Sequence, residues 1–219
     1  MNICALVPIK KNSDRVKNKN FKNFNNKPLF HWIIKTLDSS KYISKIIVNS
    51  DSEIIKNNVH KLSKKVVFNS RIKKLIGDKV SMNKIIDYDI KSYEADFYLQ
   101  THVTNPILSV ETINKSIKFF LNQKKFDSLF SVTEKNIRLW DEKLKPINHN
   151  PHSLIRTQDL KNLYEENSCI YIFSKKSFNL KKNRIGLYPS MFKINKLEAI
   201  DIDDAYDFKF AEQIHKLFI

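Results

Sequence analysis

Short apolar runs alternate with amphipathic helical patterns along most of this chain, and that rhythm restricts the fold more than any other feature. Residues 3–9, 45–49, 65–68, 96–100, 128–132 and 169–173 read as strands. Residues 28–37, 52–62, 80–93 and 110–122 carry helical spacing, with Pro28 expected in a first helical turn and Asn26 as its cap. Strand–helix alternation predicts a mainly parallel sheet with helices on both faces. Such sheets hold ligands at the carboxyl ends of their strands. A chain of 219 residues supplies one sizeable core, so residues 1–219 are expected to form a single domain.

The first run, Ile3 to Ile9, empties into a loop holding Lys10, Lys11, Arg15, Lys17, Lys19 and Lys22 among Asn and Ser residues. A buried strand opening into a basic, Asn/Ser-rich loop suits the binding of phosphates. The chain as a whole carries 39 Lys and Arg against 23 Asp and Glu, for a net charge of +16. Such a balance raises the question of nucleic acid. The cations are dispersed, however, and no zinc-finger spacing, basic zipper or RNA-recognition signature accompanies them, so no nucleic-acid partner is expected. No apolar run approaches the roughly 18 to 20 residues of a membrane span. The first apolar stretch is too short for a signal peptide. Cys4 and Cys169 fall in buried strands, where a free thiol is a small hydrophobe. The expectation is a cytoplasmic protein with no membrane partner.

One segment breaks the alternation. Residues 134–164 are polar and irregular, with Pro146, Asn148, His149, Asn150, Pro151 and His152. A stretch that long inside a compact domain is functional or an interface. His149 and His152 lack Cys or Glu companions at ligand spacing and read as loop residues. At the other end of the chain, Ile200, Asp201, Ile202, Asp203 and Asp204 precede an amphipathic pattern from Ala205 to Leu217. In extended chain Asp201 and Asp203 share one face while Ile200 and Ile202 point to the core. The pair reads as a Mg²⁺ site with few protein ligands, and Asp203 or Asp204 as a helix cap.

Several motifs together resemble those of the acylneuraminate cytidylyltransferase family, which activates nonulosonic and related sugar acids as CMP-sugars. Ser13-Asp14-Arg15-Val16-Lys17-Asn18-Lys19-Asn20 is similar to the family's amino-terminal signature, and Lys27-Pro28-Leu29 follows where that family opens its first helix. Asn49-Ser50-Asp51 resembles its Ser-Thr-Asp. The run from Leu99 through Gln100 to Asn105-Pro106 resembles Leu-Gln-Pro-Thr-Ser-Pro, with two residues inserted. Arg156 with Gln158, and Asn167 with Tyr171, resemble residues that line the family's sugar pocket. Asp201 and Asp203, followed by Asp207, Ala211 and Glu212, resemble its carboxyl-terminal Asp-Ile-Asp and helix. The motifs keep the family order from Ile3 to Glu212.

The resemblance implies a Rossmann-like nucleotidyltransferase domain with a dimerisation arm at residues 134–164. It implies transfer of CMP from CTP to the anomeric hydroxyl of a nonulosonic-type sugar acid, with release of pyrophosphate, by a homodimer using Mg²⁺. Lys19 falls on the family's catalytic Lys. Lys10 falls where Arg is usual, keeping the charge without the bidentate fork. Lys10, Asn12, Ser13, Arg15, Lys19, Asp51, Arg71 and Ser81 are the implied nucleotide contacts. Asn12 stands for a Gly, and Asn tolerates positive φ. Gln100, Arg156, Gln158, Asn167 and Tyr171 are the implied acceptor contacts, with Arg156 matched to the carboxylate. An octulosonate or phosphonate acceptor is the nearest alternative. A metal-dependent glycosyltransferase or a nucleic-acid-binding protein stands further off.

Overall fold

The computed structural model describes residues 1–13, 15–153 and 155–218, so Asp14 of the signature and residue 154 of the arm lie outside the described residues. Strand β1 (Ile3–Ile9) is the spine of a seven-stranded sheet. A mini-hairpin, β2 (Asn23–Phe24) and β3 (Lys27–Pro28), precedes helix α1 (Leu29–Ser39). There follow β4 (Ile43–Ser50), α2 (Glu53–Val59), β5 (Val66–Ser70), α3 (Met82–Ser92), β6 (Phe97–Gln100) and α4 (Val110–Leu121). The remaining elements are β7 (Ser128–Lys135), β8 (Leu163–Phe173), α5 (Lys175–Lys181), β9 (Pro189–Lys193) and α6 (Ala205–His215).

The order across the sheet is β5-β4-β1-β6-β8-β7-β9. The β5, β4, β1 and β6 pairings are parallel; β8 runs antiparallel to both β6 and β7, and β9 is parallel to β7. The sheet is thus mainly parallel with a mixed edge. Alternation along β1 sorts the core: Ile3, Ala5, Val7 and Ile9 face one side, Cys4 and Leu6 the other. The larger cluster packs α1, α2, α4 and α6 through residues such as Ile33, Leu37, Ile55, Ile117 and Phe208. The smaller one packs α3 and α5 through Ile86, Ile90 and Phe178. Both cysteines are buried and unpaired. Among the described residues no helix is long and apolar enough to cross a membrane.

The structure corrects several local expectations. Asn25 and Asn26 both take positive φ, 47° and 65°, and form the turn of the β2–β3 hairpin. Such turns need left-handed backbone at both central residues, which Asn tolerates. Asn26 therefore does not cap α1; Pro28 pairs with Asn23 in the hairpin and sits just before the helix. Helix α2 stops at Val59, short of the expected residue 62. Strand β8 begins six residues before the expected 169, because its ladder with β7 resumes beyond a bulge at Ser168, φ 59°. Glu134 pairs with Tyr164 there, so the ends of the irregular segment belong to the sheet. Two elements, α5 and β9, had no sequence signal. They bury only Ser177 and Phe178, and Ser190, which is too little for a readable period.

Candidate active site

Where β1 ends, the basic loop crosses the carboxyl edge of the sheet and is tied down on both sides. Asn20 Nδ2 donates to the Lys10 carbonyl at 2.9 Å, and the Lys11 amide donates to Asp51 Oδ1 at 2.8 Å. Asp51 thus braces the loop from the end of β4. Asn12 does not take positive φ. The left-handed residue is Asn18, φ 56°, which turns the chain into the single 3₁₀ turn Lys19–Phe21. Lys10, Ser13, Arg15 and Lys19 line one cleft of about 320 Å³. Its other walls are His102 and Thr104, just past β6, and Met82 at the start of α3.

The carboxyl-terminal segment closes the cleft from the far side. Ile202 is fully buried, its amide donating to the Thr104 carbonyl at 2.9 Å and its carbonyl accepting from Lys19 Nζ. That clamp sets Asp201 and Asp203 beside Lys19. Arg15 Nη2 lies 2.7 Å from Asp203 Oδ1. Burial pushes the Asp201 carboxyl above its usual range and the neighbouring Asp203 adds to the shift, while a hydrogen bond from Thr104 opposes it. Burial lowers the pKa of Lys19, and the charges of Asp201 and Asp203 work the other way. Asp203 does not cap α6. Asp204 does, accepting from the amides of Tyr206 and Asp207 in a reciprocal box with Asp207. Lys10, in the cleft lining, pairs with Asp78 at 2.7 Å.

Arg71 occupies the next strand ends. It is buried, with Nε donating to Asn49 Oδ1 at 2.7 Å and Nη2 to the Asn49 carbonyl at 3.0 Å. Asn49 and Asn69 in turn donate to one oxygen of Asp89, from 2.6 and 2.7 Å. Ser81 stands elsewhere, exposed at the head of α3 beside a second cleft with Lys74, Tyr88 and Lys182.

Of the implied acceptor contacts, Gln100 is fully buried at the end of β6. Its Nε2 meets the Thr101 carbonyl and His102 Nε2, each at 3.0 Å, and its Oε1 accepts from Arg184 Nη1. The Arg184 guanidinium lies 3.5 Å from the centre of the Tyr171 ring. The Tyr171 hydroxyl is held by Glu166 and by Ser168. Burial, with the nearby charges of Arg184 and Lys19, pushes His102 down to about 3, so its imidazole is neutral at physiological pH.

Three implied acceptor contacts are not brought into this centre. Asn167 is spent inside the β7–β8 bulge: its Oδ1 accepts from Ser131 Oγ and the Cys169 amide, and its Nδ2 donates to Thr133. Arg156 and Gln158 are exposed on the arm, where Arg156 pairs with Asp159 at 2.7 Å. In contrast, His102, Thr104 and Arg184 enter the site without having been singled out. His102 and Thr104 sit inside the Gln100 motif and were within reach of sequence reasoning. Arg184, in a turn with Lys181, Lys182 and Asn183, had no local signal.

A phosphate-sized basic loop at the carboxyl edge of a mainly parallel sheet, facing paired carboxylates, defines a nucleotide-handling α/β protein. The chain belongs to the cytidylyltransferase family, whose model, described as "Cytidylyltransferase", matches residues 4–218. It is 26% identical to a pseudaminic acid cytidylyltransferase of Campylobacter jejuni, over 99% of this chain and 97% of that protein. It is also 26% identical to an N-acylneuraminate cytidylyltransferase of Escherichia coli, of which it spans 52%. Among solved structures, a CMP:2-keto-3-deoxy-manno-octonic acid synthetase complexed with CTP superposes with a TM-score of 0.71 over the whole of both chains, at 9% identity. A 4-diphosphocytidyl-2C-methyl-D-erythritol synthase from Anaerococcus prevotii gives 0.73 over 98% of this chain and 96% of that one, at 14% identity. These two likenesses establish the shared fold.

Proposed function

We propose that this enzyme transfers CMP from CTP to the anomeric hydroxyl of a nonulosonic-type sugar acid. The hydroxyl oxygen attacks the α-phosphorus in line and pyrophosphate leaves. The observation that carries the reading is one cleft lined by Lys10, Ser13, Arg15 and Lys19, with Asp203 paired to Arg15 and both Asp201 and Asp203 near Lys19. Lys19, Lys10 and Arg15 take the nucleotide phosphates, Ser13 adds a hydroxyl, and the charge growing at the α-phosphate is stabilised by these fixed donors. Arg71, held by Asn49, orients the nucleotide from the neighbouring strand ends. The sugar acids in the relatives' names support the acceptor class.

Asp201 and Asp203 fit Mg²⁺: both offer hard oxygen donors, two residues apart beside the phosphate-binding cations Lys19 and Arg15. When bound, Mg²⁺ would neutralise phosphate charge near the reacting phosphorus. We also infer a homodimer formed through residues 134–164, supported by the exposed Ile137, Trp140, Leu144, Ile147 and Ile155 on that segment. A cytoplasmic site of action suits an enzyme that draws on CTP.

Pyrophosphate release across the four nucleoside triphosphates, with a panel of nonulosonic and octulosonic acids, tests the assignment. Release is expected with CTP and a nonulosonic acid. Lys19→Ala is expected to lower turnover by roughly 10²-fold, as for loss of a donor at developing charge. Lys22→Ala, whose ammonium packs over the Phe208 ring, is expected to change little. Equal losses from both would reduce the loop to a merely basic patch.

A further inference from the structure

Arg184 sits on the connection between α5 and β9, and three features of its setting point beyond a structural role. Its guanidinium sits over the Tyr171 ring, 3.5 Å from the centre, a cation–π contact that holds the fork in place. Nη1 is spent on Gln100 Oε1. Among the described residues no carboxylate lies within ion-pair distance of it, although the side chain is more than half withdrawn from solvent. A desolvated guanidinium without a counter-charge is costly. Burial accordingly lowers its pKa, and Tyr171 beneath it and the nearby Glu166 oppose that.

The loop that carries Arg184 is fastened, so the position is built in. Asp127 accepts from the amides of Leu187 at 2.8 Å and Tyr188 at 3.0 Å. The Gly186 amide donates to Ser128 Oγ at 2.8 Å, and a Cβ at Gly186 would collide with the Asp127 carboxylate. On the other side, the Arg184 amide reaches Asn83 Oδ1 at 3.3 Å, next to the cleft residue Met82. Gln100 links the guanidinium to His102 in the cleft wall.

We infer that Arg184, rather than Arg156, receives the carboxylate of the acceptor, with Tyr171 and Gln100 holding the guanidinium in place. This rests on the sugar-acid reading above and names the residue that recognises the acid. A planar guanidinium has further donors beyond the one given to Gln100, and such a fork matches a carboxylate bidentately. The neutral His102 adds no competing charge beside it.

The test compares each sugar acid with its carboxamide, in wild type, Arg184→Ala, Arg184→Lys and Arg156→Ala. For Arg184→Ala the KM for the acid is expected to rise by the order of 10²-fold. The KM for CTP should stay within about twofold, and the acid should lose its advantage over the amide. Arg184→Lys should recover part of that advantage, since it keeps charge without the fork. Arg156→Ala should keep the wild-type acid-to-amide ratio. Equal losses for acid and amide in Arg184→Ala would overturn the inference and make the residue a brace for Gln100. Loss of the ratio in Arg156→Ala alone would also overturn it. Calorimetric titration with the sugar acids separates the two levels of the reading. A wild-type protein that binds an acid through Arg184 but releases no pyrophosphate would overturn the transfer reaction and leave the carboxylate site standing. A wild-type protein that binds no acid overturns both.

Discussion

Asp89 lies beneath the nucleotide side of the site with one oxygen taking two amide hydrogen bonds and Oδ2 without a partner among the described residues. Burial pushes its pKa up to about 6, against an unfolded value near 3.8. The folded state therefore holds a proton that the unfolded chain has already lost between about pH 4 and pH 6. This group's contribution is fully present below pH 4 and is lost as pH rises through 6. At neutral pH its ionisation costs roughly 3 kcal/mol, from about 1.4 kcal/mol per pKa step. Asp89→Asn keeps an acceptor for Asn49 and Asn69, so it is expected to melt above wild type at pH 7.5. The difference should shrink towards pH 4. Melting curves across that range check the sign, and a difference independent of pH would show that Asp89 does not ionise there. The same residues explain a limit of sequence reading. Asp89 and Arg71 are 18 positions apart, and nothing along the chain says that Asn49 joins them.

Among the elements, the irregular arm between β7 and β8 carries the most testable geometry. Its ends are anchored by the Glu134–Tyr164 pairing, and an isolated bridge joins Trp140 to Pro146. Between those anchors large apolar side chains stand in solvent: Leu144 is 81% and Ile147 60% exposed. Apolar side chains grouped in solvent on one segment suit a surface covered by a partner, here proposed to be a second copy. Replacing the arm by a short turn from Lys135 to Leu163 is expected to give a monomer in sedimentation. Wild type should sediment as a dimer, and a monomeric wild type at tens of micromolar would refute the arm's role. The strand ladder makes the deletion mild, because both cut ends already face each other in register. Sequence length and polarity alone singled out this segment. They could not show that β7 and β8 extend into it, since Glu134, Lys135, Tyr164 and Glu165 are exposed or half-buried edge positions without apolar alternation.

Across the molecule, the cleft joins the two ends of the chain: the loop after β1 meets the segment before α6 through Lys19 and Ile202, 183 residues apart. The proposed metal site belongs to that meeting. Among the described residues no three metal-binding side chains cluster, and two carboxylates make a poor octahedral site for an ion that sheds water reluctantly. Mg²⁺ affinity, followed by calorimetry, is therefore expected to be weak for the protein alone and to rise at least tenfold with CTP bound. Asp201→Asn should remove that increment with little change in melting temperature. Metal binding that is equally tight without nucleotide would count against the arrangement.

Periodicity in the sequence was enough to determine the parallel half of the sheet, because β1, β6 and most of β4 are buried on both faces with nearly continuous apolar runs, and the edge strand β5 adds the short run 66–68. The order of the motifs determined the family, and the basic loop after Ile9 pointed to where phosphate chemistry is proposed to sit. Only the tertiary structure decided which polar residues face one another. It consumed Asn167 inside a bulge, left Arg156 on the exposed arm, gave the cap of α6 to Asp204, and brought Arg184 to Gln100 and Tyr171. The physical reason is one of range. Burial and backbone pattern are local consequences of side-chain type, whereas a site is made by contacts between strand ends that the chain itself keeps far apart.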